Sequence, residues 1–131
     1  MFRGLAKDGS FRSVFIPRWG VHKIIDPFEF QSLGTTYVPK GFVTDLTSFY
    51  KEGKHTPAAV CHDADYAKGY IFANGCKVQI TRREADQRLV RGMTELGVPK
   101  TQRRLIWYGV RLGGWRPWRK YRKAQRQGAS V

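Results

Sequence analysis

The N-terminal part of the chain alternates short apolar runs with turn residues, a pattern typical of antiparallel strands. Phe28–Gln31 alternates apolar and polar side chains, and Thr35–Val38 is rich in β-branched and aromatic residues. Similar patterns cover residues 11–16 and 42–46, and the turn dipeptide Asp8-Gly9 precedes the first of these. The sequence therefore predicts an N-terminal antiparallel β region.

Residues 58–68 contain no helix breaker and predict a first helix that starts at Pro57. Thr56 is the expected N-cap, and Pro57 fits the first helical position because its missing N–H costs nothing there. Gly69 is the expected C-terminal cap. Two β-prone runs then flank Asn74-Gly75, which is a strong signal for a tight hairpin.

Two further helices are predicted after the hairpin. Thr81 and Glu84 have the spacing of a capping box, which predicts a second helix over 82–96. A third is predicted over 101–112, and Gly113-Gly114 ends it. The fold class is therefore α+β: an N-terminal antiparallel β region, then about three helices with an inserted β-hairpin, and a basic C-terminal arm.

Length and composition indicate one domain. The chain has 131 residues, 41% of them apolar, which is enough for a modest core without disulfides or metals. We assign residues 1–114 to a single domain and residues 115–131 to a basic aromatic arm, in which Pro117 argues against a long regular helix. Two cysteines make no disulfide framework, and Cys61 is expected to pack in the core.

The net charge of +14 is concentrated at the C-terminus. Residues 1–99 hold 14 Lys and Arg and all 10 acidic residues, whereas residues 100–131 hold 10 Lys and Arg and no acid. This arm suits nucleic acid, anionic lipid or an acidic protein surface, and the alternative is a solubilising tail. The residues predicted to contact a partner are Arg111, Trp115, Arg116, Trp118, Arg119, Lys120, Tyr121, Arg122 and Lys123.

Nothing in the sequence indicates export or membrane insertion. No apolar run approaches the length that spans a bilayer, and the N-terminus lacks the apolar core of a signal peptide. We therefore expect synthesis in the cytoplasm without export by a standard signal.

Candidate chemistry is concentrated around His62. Residues three and four apart share a helix face, so His62 lies beside Asp65 and Tyr66, with Asp63 on the flank. On the second predicted helix, Asp86 falls close to the apolar stripe and leans inward. A buried carboxylate must find a donor because an unpaired buried charge is costly, and His62 is the candidate donor.

This arrangement has two interpretations. In an enzyme, Asp86 orients His62, which removes a proton from water, and Tyr66 completes the site. Asp63, with Asp45, would then hold a hard cation such as calcium. In the alternative, the same His–Asp–Tyr network only ties two helices together.

No other catalytic motif appears. The sequence has no zinc-ligand spacing, P-loop, dinucleotide fingerprint or Gly-x-Ser-x-Gly element. His22 and His55 lie in polar or mixed contexts and are expected to be exposed and outside any site. Cys61 precedes His62, but adjacent helical residues diverge, so a Cys–His nucleophile pair is not expected.

Four blocks of the chain resemble a family of phage proteins. They are GFVTDLTS at 41–48, AAVCHDADY at 58–66, Ala-Asp with a later Met within 85–93, and YGVRLGG at 108–114. In this order they resemble the signatures of domain-of-unknown-function family thirteen-fifty-three, which is common in tailed phages and prophages. Thr47 departs from the family pattern, which has alanine there. The resemblance implies a phage origin and no particular reaction.

A more distant motif analogy is with secreted phospholipases A2. They also place a His-Asp-x-x-Tyr-like element on one helix and an Asp on the next. Carried over, the analogy makes His62 the base, Asp63 the calcium ligand and Asp86 the partner of His62. The phospholipase disulfides and glycine-rich calcium loop have no counterpart in this sequence. An analogy of this kind does not by itself carry function.

These observations give three functional expectations. The first is a bacteriophage virion component, in the tail or connector, with a hydrolase-like His/Asp site. Its basic arm would dock it to other virion proteins or DNA. The second is a small metal-assisted hydrolase acting on host cell envelope, either lipid or peptidoglycan. The third is a nucleic-acid-binding phage accessory protein. In each case the protein is made in the host cytoplasm, and in the first it ends in the virion.

Overall fold

A computed structural model describes residues 1–44 and 53–128 of the chain, and it has the predicted α+β architecture. The described elements, in chain order, are β1 (Phe2–Arg3), β2 (Ser13–Ile16), β3 (Val21–Ile24), β4 (Phe28–Gln31), β5 (Thr35–Val38), β6 (Val43–Thr44), α1 (Thr56–Lys68), β7 (Tyr70–Ala73), β8 (Cys76–Gln79), α2 (Arg82–Glu95), α3 (Lys100–Gly113) and α4 (Trp115–Arg126). Within these ranges no helix has both the length and the hydropathy needed to cross a lipid bilayer.

Antiparallel pairing arranges the strands in two sheets. One has the order β1-β4-β5-β7-β8 and the other the order β2-β3-β6. The predicted alternation in β4 is confirmed, because Phe28 and Phe30 are buried while the residues after them are only partly so. The hairpin β7–β8 joins the larger sheet through the pairing of Phe72 with Thr35. The segment between the first two helices therefore extends the N-terminal sheet.

The predicted turn and helix caps are confirmed, except that the start of α1 differs by one residue. Asn74 and Gly75 both have positive φ, 52° and 78°, as a tight two-residue hairpin turn requires. Thr81 forms the predicted capping box with Glu84. Helix α1 begins one residue earlier than predicted, since Thr56 lies inside its first turn.

Residues 115–126 form a helix in spite of Pro117. This proline is the third residue of α4, within the first turn, where a backbone N–H has no intrahelical acceptor. Its missing N–H therefore costs little, and the prediction that Pro117 prevents a long regular helix is wrong for that reason.

Helix α4 lies against the C-terminal end of α1. Arg122 Nη2 donates to the carbonyl oxygens of Tyr66 and Ala67 at 2.5 and 3.0 Å, and Gln125 Nε2 donates to that of Lys68 at 2.8 Å. A helix leaves its last carbonyl groups without internal donors, and α4 supplies them here. The described part of the arm is thus packed on the rest of the chain, whereas its assignment as a separate segment stays a prediction.

The core consists of three apolar clusters that all involve α1. The first fills the space between the sheets and α1 with Ile24, Phe28, Phe30, Val38, Val60, Cys61 and Ala64. The second joins α1, α2 and α3 through Ala58, Leu89, Met93, Val98, Ile106 and Val110. The third surrounds Tyr66 below the hairpin with Ile71, Ile80 and Ala85. Helix α1 is therefore central, and Cys61 packs in the core as predicted.

Helices α1 and α2 run antiparallel at close range. A Cβ atom added to Gly92 would lie 3.0 Å from that of Ala58, while at the other end Tyr66 reaches Asp86. Glycine is unfavourable inside a helix, so this close approach explains its position in α2.

A buried ion pair joins the two helices on one side of their interface. Arg88 Nε donates to Asp65 Oδ2 at 3.1 Å, and both residues are at least 95% buried. The Thr36 hydroxyl on β5 donates to Asp65 and accepts from Arg88 Nη2 at 2.7 Å. Arg88 also donates to the carbonyl of Ser32 and lies over the Phe30 ring. The pair therefore holds α1, α2 and the larger sheet together.

We expect the substitution Arg88→Met to lower the free energy of unfolding by about 3–5 kcal/mol, because it leaves Asp65 buried without its cation. Urea denaturation followed by circular dichroism measures the change. The control is Arg83→Met on the exposed face of the same helix, expected to stay within about 0.5 kcal/mol. Equal losses for the two variants would contradict a special role for the pair.

Candidate functional site

His62 and Asp86 meet at the interface of α1 and α2, as predicted. His62 Nε2 lies 2.7 Å from Asp86 Oδ1. A charged carboxylate can only accept, so Nε2 carries the hydrogen and donates it. The neutral imidazole then has its lone pair on Nδ1.

The second ring nitrogen of His62 makes no hydrogen bond within the part of the chain that the structure describes. Across residues 1–44 and 53–128, His62 Nδ1 has no hydrogen-bond partner. The His62 side chain is 12% exposed. One nitrogen is therefore committed to Asp86, while the other has no partner among the described residues.

Asp86 is fully buried, accepts hydrogen bonds from two other helices and has an ion-pair partner on its own helix. Besides His62, the Tyr66 hydroxyl of α1 donates to its Oδ1 at 2.6 Å. On the other oxygen, Arg111 Nη1 of α3 donates to Oδ2 at 2.6 Å, and Arg82 Nη1 of α2 lies 3.6 Å away. The carboxylate is thus held rigidly, because both of its oxygens have partners.

These contacts determine the charge state of the site. Burial alone would raise the pKa of Asp86, but hydrogen bonds from His62, Tyr66 and Arg111 outweigh it and hold that pKa below its usual value. Burial raises the pKa of the Tyr66 phenol, and its bond to Asp86 raises it further. At neutral pH, Asp86 is therefore charged and Tyr66 is a hydrogen-bond donor.

The junction of α3 and α4 forms one wall of the site. A Cβ atom added to Gly114 would lie within 2.4 Å of the Tyr66 hydroxyl, so only glycine permits this approach. The Trp118 ring packs edge-on against Tyr66 at 5.1 Å between centroids, and the Arg122 guanidinium lies 4.5 Å from the Trp118 ring. The C-terminal helix thus contributes to the surroundings of the dyad.

Asp63 lies next to the dyad but makes separate contacts. Its Oδ2 accepts from the Thr44 hydroxyl of β6 at 2.6 Å. Burial raises the pKa of Tyr121, and the nearby charge of Asp63 raises it further. Asp45 lies outside the described residues, so calcium binding by Asp63 and Asp45 stays a prediction. In the described ranges, no three His, Cys, Asp or Glu side chains are grouped to hold a metal ion.

The residues predicted to contact a partner fall into two groups. One group packs inward on the dyad or on α1: Arg111, Trp118, Tyr121 and Arg122. The other group is exposed on α4: Trp115, Arg116, Arg119, Lys120 and Lys123. Only the second group presents its side chains largely to solvent.

Two histidines lie deeper than expected. His55 is 2% exposed at the N-cap of α1, and burial lowers the pKa of its imidazole. His22 on β3 is partly buried, with Nδ1 3.2 Å from the Ser13 hydroxyl of β2. The expectation that both histidines are exposed is wrong. A polar sequence context does not show which residues distant in the chain will pack against a side chain, as Gln102 of α3 does against His55.

Sequence reasoning placed Asp65 beside His62 but did not find its partner. Asp65 instead accepts a hydrogen bond from Arg88 in the buried ion pair that joins α1 and α2. At 100° per residue, Arg88 and Asp86 lie on opposite flanks of the apolar stripe of α2, and this signal was available. The spacing of Arg82 and Asp86, four residues apart on a helix, was a second available signal.

Comparison with known proteins supports the resemblance found in the sequence. A family model described as protein of unknown function (DUF1353) matches residues 22–110. The matched segment contains His62, Tyr66 and Asp86, and it ends one residue before Arg111. No curated protein and no solved structure matches the chain at a significant level. Because the family model covers more than half of the sequence, the chain belongs to the DUF1353 family.

Proposed function

We propose that this protein is a bacteriophage hydrolase of the host cell envelope, carried as a virion component in the tail or connector, with His62 as its general base. The observation that supports the chemistry is that His62 Nε2 bonds a buried, charged Asp86 at 2.7 Å while Nδ1 has no partner among the described residues. The phage setting rests on the family resemblance.

In this proposal the reaction is hydrolysis of an ester or amide. His62 Nδ1 takes a proton from a water molecule as the water oxygen attacks the carbonyl carbon. The negative charge of Asp86 stabilises the imidazolium that forms, as in other His–Asp pairs. The imidazolium then gives its proton to the leaving oxygen or nitrogen, and the carbon–heteroatom bond breaks. The products are a carboxylic acid and an alcohol or amine, and His62 is neutral again.

Two neighbours of the dyad act as positioning residues in this scheme. Tyr66 and Arg111 hold the two oxygens of Asp86, one from each side, at 2.6 Å. They fix the carboxylate plane, and through it the direction of the His62 ring. No step in the proposal passes through a metal ion.

The second candidate is a non-catalytic virion part in which the same network only fixes three helices. The observation that favours it is the complete burial of Asp86 between donors from α1 and α3, with Arg82 of α2 as a nearby cation. This alternative gives no role to Nδ1, which has no partner within residues 1–44 and 53–128. Loss of Nδ1 should abolish hydrolysis if the protein is an enzyme and should have no such effect if the network is only structural. A substitution of His62 therefore distinguishes the two candidates.

We expect His62→Gln to lower hydrolysis at least about a hundredfold, because glutamine keeps a donor towards Asp86 but cannot accept the proton of water. The substrates are phospholipid vesicles, assayed for released fatty acid, and purified peptidoglycan, assayed for new amino groups. His22→Gln, a second partly buried histidine on β3, is the matched control and should keep full activity. Absence of hydrolysis by the unaltered protein on both substrates, or full activity of His62→Gln, would favour the non-catalytic candidate.

We expect Asp86→Asn to lower the free energy of unfolding by about 3 kcal/mol at pH 7, because it leaves the Arg111 cation without its buried carboxylate. The folded-state pKa of Asp86 is below its unfolded value of about 3.9. Its contribution is therefore present above that value and is lost as pH falls through the folded-state pKa. The free energies of unfolding of Asp86→Asn and of the unaltered protein should therefore come closer together as the pH falls. Denaturation curves at pH 7, 5 and 3 measure this difference.

The control for this series is Glu95→Gln, an exposed carboxylate at the end of the same helix. It should show a small difference from the unaltered protein at every pH. A difference for Asp86→Asn that stayed constant down to pH 3 would show that the charge of Asp86 contributes nothing to stability.

A further inference from the structure

Helix α3 presents an apolar stripe to solvent that continues onto the first residue of α4. Leu105, Tyr108, Leu112 and Trp115 are 59%, 58%, 78% and 43% exposed. Their spacing of three and four residues places the members on α3 along one face of that helix. The opposite side of α3 packs in the core against α1 and α2. A run of large exposed apolar side chains on one face marks an interaction surface.

Cationic side chains flank the N-terminal part of this stripe. An open groove of about 350 Å³ is lined by Lys100, Arg103, Arg104, Trp107 and Tyr108, together with Val90 of α2. Tyr108 belongs both to the groove and to the stripe. The Trp107 and Tyr108 rings pack edge to face at 5.2 Å. The groove therefore combines three positive charges with aromatic walls.

Cations also flank the other end of the stripe. The guanidinium groups of Arg116 and Arg119 lie 5.2 and 5.8 Å from the centroid of the Trp115 ring. Neither α3 nor α4 contains an acidic residue. The stripe, the groove and these two arginines together form what we call the α3 surface, and its charge is entirely positive.

We propose that the α3 surface docks the protein onto a bilayer containing anionic phospholipid. The apolar stripe would enter the boundary between headgroups and acyl chains, and the cations would contact lipid phosphates, one of them in the groove. A nucleic acid would use the cations and aromatic rings, but it offers nothing to Leu105 and Leu112. A second copy of the chain would bring two positive surfaces together, which is unfavourable.

The α3 surface ends beside the His62–Asp86 dyad. Gly114, which approaches the Tyr66 hydroxyl, immediately precedes Trp115 at the end of the stripe. Docking through this surface would therefore hold the dyad near the lipid headgroups. The docking proposal does not depend on catalysis by His62, and binding alone tests it.

The experiment measures sedimentation of the full chain with vesicles at physiological ionic strength. We expect binding to vesicles of mixed phosphatidylglycerol and phosphatidylcholine, and at least tenfold weaker binding to pure phosphatidylcholine. The double variant Leu105→Ser, Leu112→Ser keeps the net charge and should bind the mixed vesicles at least tenfold more weakly. Leu33→Ser, which changes a leucine 82% exposed in the β4–β5 turn, is the matched control and should bind within twofold of the unaltered chain.

A second pair of variants tests the charges. Arg104→Glu with Arg119→Glu should abolish binding to the mixed vesicles. Lys7→Glu with Arg18→Glu changes the net charge equally at exposed positions in the N-terminal region and should retain most of the binding.

Four outcomes would overturn the proposal. The first is no vesicle binding by the unaltered chain, and the second is equal vesicle binding by the leucine double variant. The third is tight binding to duplex DNA, unaffected by the leucine changes, with no vesicle binding. The fourth is a dimer of the unaltered chain that the leucine changes dissociate, again with no vesicle binding.

Discussion

Asp86 is a charged carboxylate at the centre of a helical interface, and its need for donors determines how three helices meet. A buried carboxylate without partners would cost several kcal/mol, so α1 and α3 must each deliver a side chain to it. Helix α1 supplies His62 and Tyr66, and α3 supplies Arg111. The approach of α3 brings Gly114 against the Tyr66 hydroxyl, and α4 continues from that point to the end of α1. The contacts of this carboxylate thus place the start of the C-terminal helix, and the contacts of Arg122 with α1 place the rest.

Two polar pairs lie at the interface of α1 and α2, and the acidic residue belongs to α2 in one pair and to α1 in the other. On one flank of the apolar stripe of α2, Asp86 accepts from His62, and on the other flank Arg88 donates to Asp65. An acid and a base on α2 therefore meet a base and an acid on α1. A shift of one helix along the other would place like groups together or leave charges buried without partners. The two pairs fix the register of the helices, while apolar contacts supply most of the attraction.

The rigid holding of Asp86 and His62 suits both a catalytic and a structural dyad. The feature that distinguishes the two is the second ring nitrogen of His62, Nδ1. A network that only fixed the helices would have no use for an available lone pair on His62 Nδ1, whereas a general base requires one. Helix α4, with Trp118 against Tyr66, connects this site to the exposed α3 surface. Site and surface therefore meet at the junction of α3 and α4, so a partner bound to the surface would lie close to the dyad.

The sequence by itself determined the features that depend on nearby residues. It determined most strands but not β1 or β3, and it determined the Asn74-Gly75 turn, the capping box at Thr81 and the inward lean of Asp86, because turn chemistry and helical periodicity are local. Tertiary structure alone decided that Asp86 binds Arg111 and that Pro117 lies inside a helix. The first joins residues 25 apart in the chain, and the second depends on where that helix begins. Periodicity shows which side chains turn inward, but only packing brings each of them to its partner.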